Sequence, residues 1–536
     1  MSAQLPVPPM AFNLWGTSDE AKPLSSGMIR ILHTTLGLKN KPRPPLQGSD
    51  ITLSESRFQE ADLAKLRTIV GEAHVSTAHH QRLPRSRGKS YRDLIDWRTK
   101  AVINAPDAVV APATDEEVLQ ILQFCEANSI AVVPFGGGTS VVGGISPIDG
   151  GHRAVLSLDL TRFNKLEDVD KISEQATLGA GMSGPHAEIA LSQHGLRLGH
   201  FPQSFPYATI GGYAATRSSG QNSSGYGRFD EMVHSFTVVT TKGILEVGGN
   251  FPASAAGPDF RELFLGSEGT LGIITRIRCR VHQIPASKRY EAFCFPDFAT
   301  GAKALRLVKQ HNTGPTVIRL SDEIESSLNL SSTDNIAECT DYSGCLCITM
   351  YEGTEEQTQI RHQETRKLLL SLGGKSLGEG PVRAWEKGRF GAPVLRDAIL
   401  DIGGLCETLE TATNWSNVET LKTAVGHALA ESLTNSGTMA IVMCHISHVY
   451  HTGCSLYFTV IANQNDDPHT QWSRAKKAAS QAILQNGGTI THHHAIGTDH
   501  RPYIENEIDP ISVEILHAIK STLDPHRILN PGKLIS

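Results

Sequence analysis

Three histidines in a row, His492, His493 and His494 in the segment THHHAIG at 491–497, bring hydrogen-bond donors, acceptors and near-neutral bases into one short stretch. An extended backbone sends His492 and His494 to one face and His493 to the other. Such a cluster suits a bound phosphate and a proton-transfer partner; a solvated polar loop, or a metal held by His492 and His494, is the competing account. The other chemistry-bearing signals are glycines. In PFGGGTSVVGG, which starts at Pro134, the missing Cβ atoms of Gly136, Gly137 and Gly138 let successive amides converge on one concavity, a cradle for phosphate oxygens next to Thr139 and Ser140. The run is not GxGxxG, because Val141 stands at its sixth position, and it lacks the Lys-Ser/Thr of a P-loop. Further on, small residues at Ala208, Thr209, Gly211, Gly212, Ala214, Ala215 and 218–220 allow backbone to approach a flat ring closely, and GSEGTLGIIT sets Glu268 between glycines just before a strand. Taken singly, each of these stretches is equally a glycine-rich turn.

Regular elements must hold these residues in place. DAVVAP reads as a short apolar strand, DEEVLQILQFCEANS as a helix with an acidic first turn, and IAVVPF as a second strand that runs directly into the glycine loop, so the unit is β-α-β. From 150 to 283, the β-rich runs AVLSLDL, EQATLGAG, SFTVVTTKG and TLGIITRIRCRV alternate with turns rich in Gly, Pro and Asn, the pattern of an α+β domain. A second unit contains KRYEAFCF, PTVIRL, SGCLCITMYE, GTMAIVMCHISHV and GCSLYFTVIA with helical stretches between them, and is expected to form a mixed sheet with helices on one face. Residues 1–103 are polar and irregular and read as an extension packed on something larger. The expected division is therefore 1–103, 104–283, 284–487 and 488–536.

Composition removes several classes of function. With 536 residues, 39% of them hydrophobic, the chain is too long for a small binding module and can bury a large core. Its 49 basic and 55 acidic side chains leave a net charge of −6, which excludes general nucleic-acid binding. No apolar run reaches the length of a membrane span, and the start lacks the basic and apolar regions of a signal peptide, so a cytoplasmic protein is expected. The 9 cysteines are an odd number scattered through apolar settings; Cys345 and Cys347 are read as buried thiols.

Together, the glycine loop after a β-α-β unit, the TIGG segment, GSEGTLGIIT and the ending LNPGKLI resemble the vanillyl-alcohol oxidase family of flavoproteins. The resemblance implies a two-part FAD-binding domain over 104–283 under a cap domain. Residues Pro134, Gly136, Gly137, Gly138, Thr139 and Ser140 would hold the pyrophosphate, and Thr209, Gly211, Gly212, Thr216 and Ser219 would line the flavin and its ribityl chain. Glu268 and Ile273 would approach the adenosine end or its supports. No histidine in the loop is of the kind that tethers flavin there, so non-covalent FAD is implied.

Within that family, THHHAIG, TVIRLSD around Arg319, PVLRD around Arg396, CETLETATNW, SHVYHTGCSLYF and LQNGGTITHHHAIG are similar to the alkylglycerone-phosphate synthases along nearly the whole chain. This implies exchange of the acyl chain of an acyl-dihydroxyacetone phosphate for a long-chain alcohol, with flavin as a covalent holder and no net oxidation. Tyr457, an ordinary strand aromatic by itself, matches the family's catalytic tyrosine. It and one of His493 or His494 would move protons; Arg396, Arg319 and the remaining histidines would hold phosphate and ketone oxygens. Either arginine could instead pair a nearby carboxylate such as Asp322 or Asp397. HTGCSLY stands where the related hydroxy-acid dehydrogenases carry HxGDGNxH, so no catalytic metal is expected. The long-chain substrates imply contact with a membrane surface, through the extension and its MIRILHTTLGL stretch unless that stretch is a core helix, and a homodimer is expected. The alternative function is an FAD-linked oxidase or dehydrogenase of a hydroxyl-bearing substrate.

Overall fold

The computed structural model describes residues 9–38, 42–331 and 343–535. The β-α-β unit forms as its sequence dictates. Thr114 caps the helix Asp115–Ala127 by accepting the Glu117 amide, and three acidic residues occupy its electropositive first turn. Strands Ala108–Val110 and Ile130–Phe135 each run parallel to Ala154–Asp159, which lies between them. Ala108–Val110 and Ile130–Phe135 are apolar runs because the sheet is covered on its two faces, and the short strand Val75–Ser76 pairs antiparallel beyond Ala108–Val110. A second, antiparallel sheet follows in the order Gly243–Gly248, Val233–Thr240, Ile273–Arg280, Gln175–Gly179, Leu166–Asp170. The chain end returns here: Leu529 bridges Val132, Asn530 donates its amide to Val132 at 2.8 Å, and Ile528 and Leu529 join the core of the first sheet.

The cap is a seven-stranded sheet in the order Lys375–Gly378, Ser287–Phe295, Cys345–Gly353, Val317–Ser321, Ala440–Ile446, Gly453–Asn463, Gly404–Asn414. Every pairing in it is antiparallel, where the sequence reading expects a mixed sheet. Helical crossovers do produce parallel strands, but a third strand separates each such pair. Ser287–Phe295 and Val317–Ser321 both flank Cys345–Gly353, and Gly404–Asn414 and Ala440–Ile446 both flank Gly453–Asn463. Period-two alternation sorts the last hairpin: Leu456, Phe458 and Val460 enter the core with the helices Val418–Asn435 and Pro468–Gln485, while Tyr457 faces the other way. Helices do not keep to one face, since Val382 and Trp385 of the helix Gly380–Gly388 pack on the opposite side against Tyr290, Ile348 and Met350.

The extension is more regular than its polar composition predicts. Helix Tyr91–Thr99 is capped by Ser90 and buries Tyr91, Leu94, Ile95 and Trp97 completely in the cap core, while Leu63, Leu66 and Val70 of the helix Glu60–Val70 pack on the first sheet. Some of its charged residues are paired within the fold, Arg87 with Asp96 at 3.1 Å and Arg57 with Asp107 of the next unit at 2.9 Å. MIRILHTTLGL supplies the helix Ser26–Leu36, whose Leu32 and Leu36 join Leu38 in the cap core, so the core-helix reading holds for it. Among the described residues no helix is long and apolar enough to cross a membrane. Cys345 and Cys347 are fully buried; Cys339 lies outside the described residues.

Candidate active site

Strand register puts the site on one row. Ser321 pairs with His445, His445 with Tyr457, and Tyr457 with Glu410, across four neighbouring strands of the cap. The rings stack along that row: His445 lies 4.9 Å from Tyr457 at an interplanar angle of 21°, and His493 lies 6.1 Å from Tyr457 at 19° on the other side. The Tyr457 hydroxyl donates to Thr408 Oγ1 at 3.0 Å, and burial pushes the phenol up to about 12, so it rests as a neutral acid. Behind His445, its Nδ1 lies 3.0 Å from Glu325, which also pairs with Arg319. Burial opposes the charge on Glu325, yet His445 and Arg319 hold it at about 2.

The histidine triplet does not alternate across an extended backbone as expected. Its three amides all turn onto Glu410, at 2.6, 3.0 and 2.9 Å for His492, His493 and His494, and the Thr491 hydroxyl adds a bond of 2.7 Å. The bend brings the rings together: His493 and His494 have centroids 4.8 Å apart, and His492 Nδ1 lies 2.9 Å from His493 Nδ1. The second ring nitrogen of His492 meets the Tyr450 hydroxyl at 2.5 Å, and Arg228 of the FAD-side unit donates to the His492 carbonyl at 3.1 Å. Ring nitrogens of His448, His492 and His493 lie within 4.8 Å of one another, close enough to ligate a metal through a set the sequence reading did not name. His448 already has protein partners at both nitrogens, Nε2 on the Gly220 carbonyl at 3.0 Å and Nδ1 beside Ser447 and Ser455 at 2.9 and 3.2 Å.

The two arginines differ. Arg319 is committed to Glu325 and lies 3.0 Å from His445, so its expected partner Asp322 is replaced by Glu325; Asp322 instead accepts the Cys444 amide at 2.8 Å. Arg396 is 8% exposed, pairs Asp397 at 3.3 Å and donates to the Lys89 carbonyl at 2.8 Å, yet its buried Nη2 has no partner among the described residues. A buried guanidinium nitrogen with nothing to donate to is suited to an incoming anion. The N-terminal stretch lies against the same corner: Trp15 donates its amide to Asp397 at 2.5 Å, and the Lys89 ammonium donates to the carbonyls of Ala11, Phe12 and Leu14 at 2.5, 2.9 and 2.9 Å.

The segments expected to hold flavin are in contact with each other. A Cβ on Gly137 would sit 2.0 Å from the Tyr207 carbonyl, and one on Gly136 would sit 2.4 Å from Thr209 Oγ1, so glycine is needed where the loop meets the TIGG turn. No acceptor among the described residues takes the amides of Gly136, Gly137, Gly138, Thr139 or Ser140. Thr209 caps the helix Ile210–Ala215, Gly212 is exposed at its start, Thr216 donates to the Gly212 carbonyl at 2.9 Å, and the buried Ser219 hydroxyl has no partner among the described residues. A cradle of free amides packed on the TIGG turn fits a phosphate-bearing cofactor, and the orphaned Ser219 hydroxyl lies on the segment that follows that turn. Three expected contacts are different in kind. Gly211 is buried against Ala180, just past the strand Gln175–Gly179, where a Cβ would come within 2.7 Å, so it serves close packing of the helix start; Ile273 is a core residue; Pro134 packs on Gly269. Glu268 supports the triplet's far end, taking the amides of Ile496 and Gly497 at 2.9 and 2.8 Å, and burial pushes it up to about 7.

Glu410, His445, His448 and Tyr450 escaped the sequence reading. Glu410 lies in CETLETATNW and His448 and Tyr450 in SHVYHTGCSLYF, segments read as similar to the synthases, and His445 lies just before the second; only strand register and ring contacts reveal that the four gather around Tyr457 and the triplet.

Burial holds His200 and His493 at about 3 and His282 and His494 at about 4, so all four stay neutral in the fold. Unfolded, each titrates near about 6.5, so below that pH the unfolded chain binds protons that the native chain refuses. This contribution to stability is complete above 6.5 and is lost as pH falls toward 4. Glu268, raised to about 7, and other carboxylates that burial raises, such as Asp93, Glu188 and Glu407, run the opposite way, but burial also lowers His448, His492 and His500, which add to the four. The apparent unfolding midpoint is therefore expected to drop between pH 7.5 and 5.5 in a thermal melt; an unchanged or higher midpoint at 5.5 would contradict the assignment of neutral buried imidazoles.

Comparison with known proteins gives two families and a set of close relatives. A family described as FAD binding domain matches residues 106–248, and one described as FAD linked oxidases, C-terminal domain, matches 284–534. The alkyldihydroxyacetonephosphate synthase of Dictyostelium discoideum is 32% identical over 96% of this chain and 88% of its own length. That of Trypanosoma brucei brucei is 31% identical over 93% and 84%. A solved structure of an alkyldihydroxyacetonephosphate synthase superposes with a TM-score of 0.85 at 29% identity, covering 98% of this chain and 99% of the other.

Proposed function

The chain belongs to the alkyldihydroxyacetonephosphate synthase family, and from that footing we propose that it is an FAD-dependent enzyme of ether-lipid synthesis that exchanges the acyl chain of an acyl-dihydroxyacetone phosphate for a long-chain alcohol. The observation that carries the reading is the Tyr457 phenol stacked between His445 and His493 in a chain that matches the synthases along nearly its whole length. In the exchange, the bond between the substrate carbon next to the ketone and its acyl oxygen breaks, the fatty acid leaves as a carboxylate, and the alcohol oxygen takes its place, so no net electrons move.

FAD, held by the amides of Gly136 to Ser140 and by the segment 209–219, supplies when bound the electrophilic centre that keeps the substrate carbon while its oxygen substituent changes. The protein's share is proton transfer, charge and exclusion of water. Tyr457 and one of His493 or His494 are assigned the proton transfers as a pair: together they take the proton from the substrate carbon and return one to it once the alcohol has added, while the alcohol's own proton leaves to solvent. Neutral imidazoles near a neutral phenol suit this work, since the imidazole can take a proton and the phenol can give one without a prior charge to shed. Arg396, with a free buried donor, is assigned to the substrate phosphate; Arg319 keeps His445 and Glu325 in place behind the phenol. Contact with a membrane surface, from which a long-chain alcohol would enter, and a homodimer belong to the same reading.

The test is incubation of the purified flavoprotein with palmitoyl-dihydroxyacetone phosphate and deuterated hexadecanol. The deuterated chain is expected in an ether product by mass spectrometry. A preparation that forms no ether, and whose flavin is instead reduced by a hydroxyl-bearing substrate, would replace this reading with the redox one.

A further inference from the structure

A buried carboxylate must find donors, and Glu410, 3% exposed, finds them in one place. Its Oε1 takes the Thr491 hydroxyl and the amides of His493 and His494, and its Oε2 takes the amide of His492. Successive amides of an extended strand point to opposite sides, so three in a row can reach one carboxylate only if the backbone bends around it. The same bend lays the His493 ring parallel to Tyr457 and sets His494 edge-on to it at 5.7 Å and 83°. Glu410 also stands opposite Tyr457 in the strand register, so one side chain links the phenol's strand to the triplet's loop. Beyond these donors, the neutral rings of His493 and His494 approach it at 3.5 and 3.9 Å, and no lysine or arginine among the described residues pairs with it. A carboxylate kept only to anchor a loop would be satisfied by any donors; this one gathers the amides of the very residues whose rings surround the phenol.

We infer that Glu410 is a positioning residue for the reaction: its carboxylate, by binding four consecutive donors from 491–494, sets the geometry of His493 and His494 against Tyr457. The inference rests on the proposed function for the meaning of that geometry, but its structural half can be read without any substrate. In Glu410→Gln the side chain keeps its size, loses its charge and puts an NH2 group, which can donate but not accept, where one of the two accepting oxygens stood. Hydrogen–deuterium exchange of the peptide spanning 491–494 is expected to speed up by at least about tenfold, with the rest of the chain unchanged and FAD retained. With palmitoyl-dihydroxyacetone phosphate and hexadecanol, kcat is expected to fall by about 100-fold with KM within about threefold, since misplaced groups cost turnover rather than binding. Glu410→Asp, which keeps the charge, is expected to return kcat to within about tenfold of the parent.

A Gln variant with kcat within threefold of the parent, or with triplet exchange unchanged, would overturn the inference, as would a loss confined to KM. If the Gln variant does not fold, the Asp variant decides: kcat within tenfold with protected triplet amides supports it, and a loss of 100-fold or more with those amides protected overturns it. A parent enzyme that makes no ether while the triplet's exchange responds to Glu410→Gln would sink the proposed function and leave the positioning intact.

Discussion

Tyr457→Phe is expected to fold and bind FAD as the parent does while losing turnover on the order of 10³-fold. Only the hydroxyl is removed. The ring that stacks on His445 and faces His493 remains, and the strand pairing with Glu410 and His445 does not depend on the side chain. Thr408, half-buried, loses one neutral hydrogen bond, a cost of about 1 kcal/mol that the fold tolerates. What cannot be replaced is a buried acid poised between neutral imidazoles. The measurement is release of fatty acid in a single turnover with palmitoyl-dihydroxyacetone phosphate, with flavin content checked by absorbance. Release within tenfold of the parent rate would remove Tyr457 from the proton-transfer step.

Arg396→Lys is expected to cost about 100-fold in kcat/KM, most of it in KM. The guanidinium divides its donors: Nε to Asp397, Nη1 to the Lys89 carbonyl, Nη2 unpartnered. A lysine can keep one of these directions but cannot hold two protein groups in a fixed plane while offering a third donor to phosphate. Loss of the donor corresponds to about 2–3 kcal/mol for a charge-assisted bond in a dry site. Assays with the phosphorylated substrate and inhibition by inorganic phosphate check the assignment together: the variant is expected to weaken both. A variant that loses neither would transfer the phosphate to other residues.

Where a residue type constrains the backbone directly, the sequence alone was enough. Gly136 and Gly137 are glycine because the loop meets Tyr207 and Thr209 with no room for Cβ, and that need is visible as a glycine run after a strand. The β-α-β unit was equally legible, because the Thr114 cap and the helical spacing are local properties. The triplet was legible as chemistry but not as geometry. Its rings cluster because of Glu410, which lies on a strand some eighty residues earlier, and nothing in THHHAIG records that partner. His445 is hidden for the same reason: only the pairing of Ala440–Ile446 with Gly453–Asn463 puts it under the Tyr457 ring. The antiparallel cap sheet was missed because local patterns show which elements a crossover joins and not which strand is inserted between them. In the extension, charged residues that pair with one another inside the fold made buried helices look like an irregular polar segment.

The central claim is that the flavoprotein exchanges one oxygen substituent for another without net redox. It is tested most directly by mixing the FAD-loaded enzyme with palmitoyl-dihydroxyacetone phosphate and hexadecanol in the absence of oxygen, following flavin absorbance while released acid and ether product are counted. The account predicts one fatty acid released for each ether formed, with the flavin in its oxidised state when the reaction ends. A lasting two-electron reduction of the flavin, with neither acid nor ether produced, would contradict it.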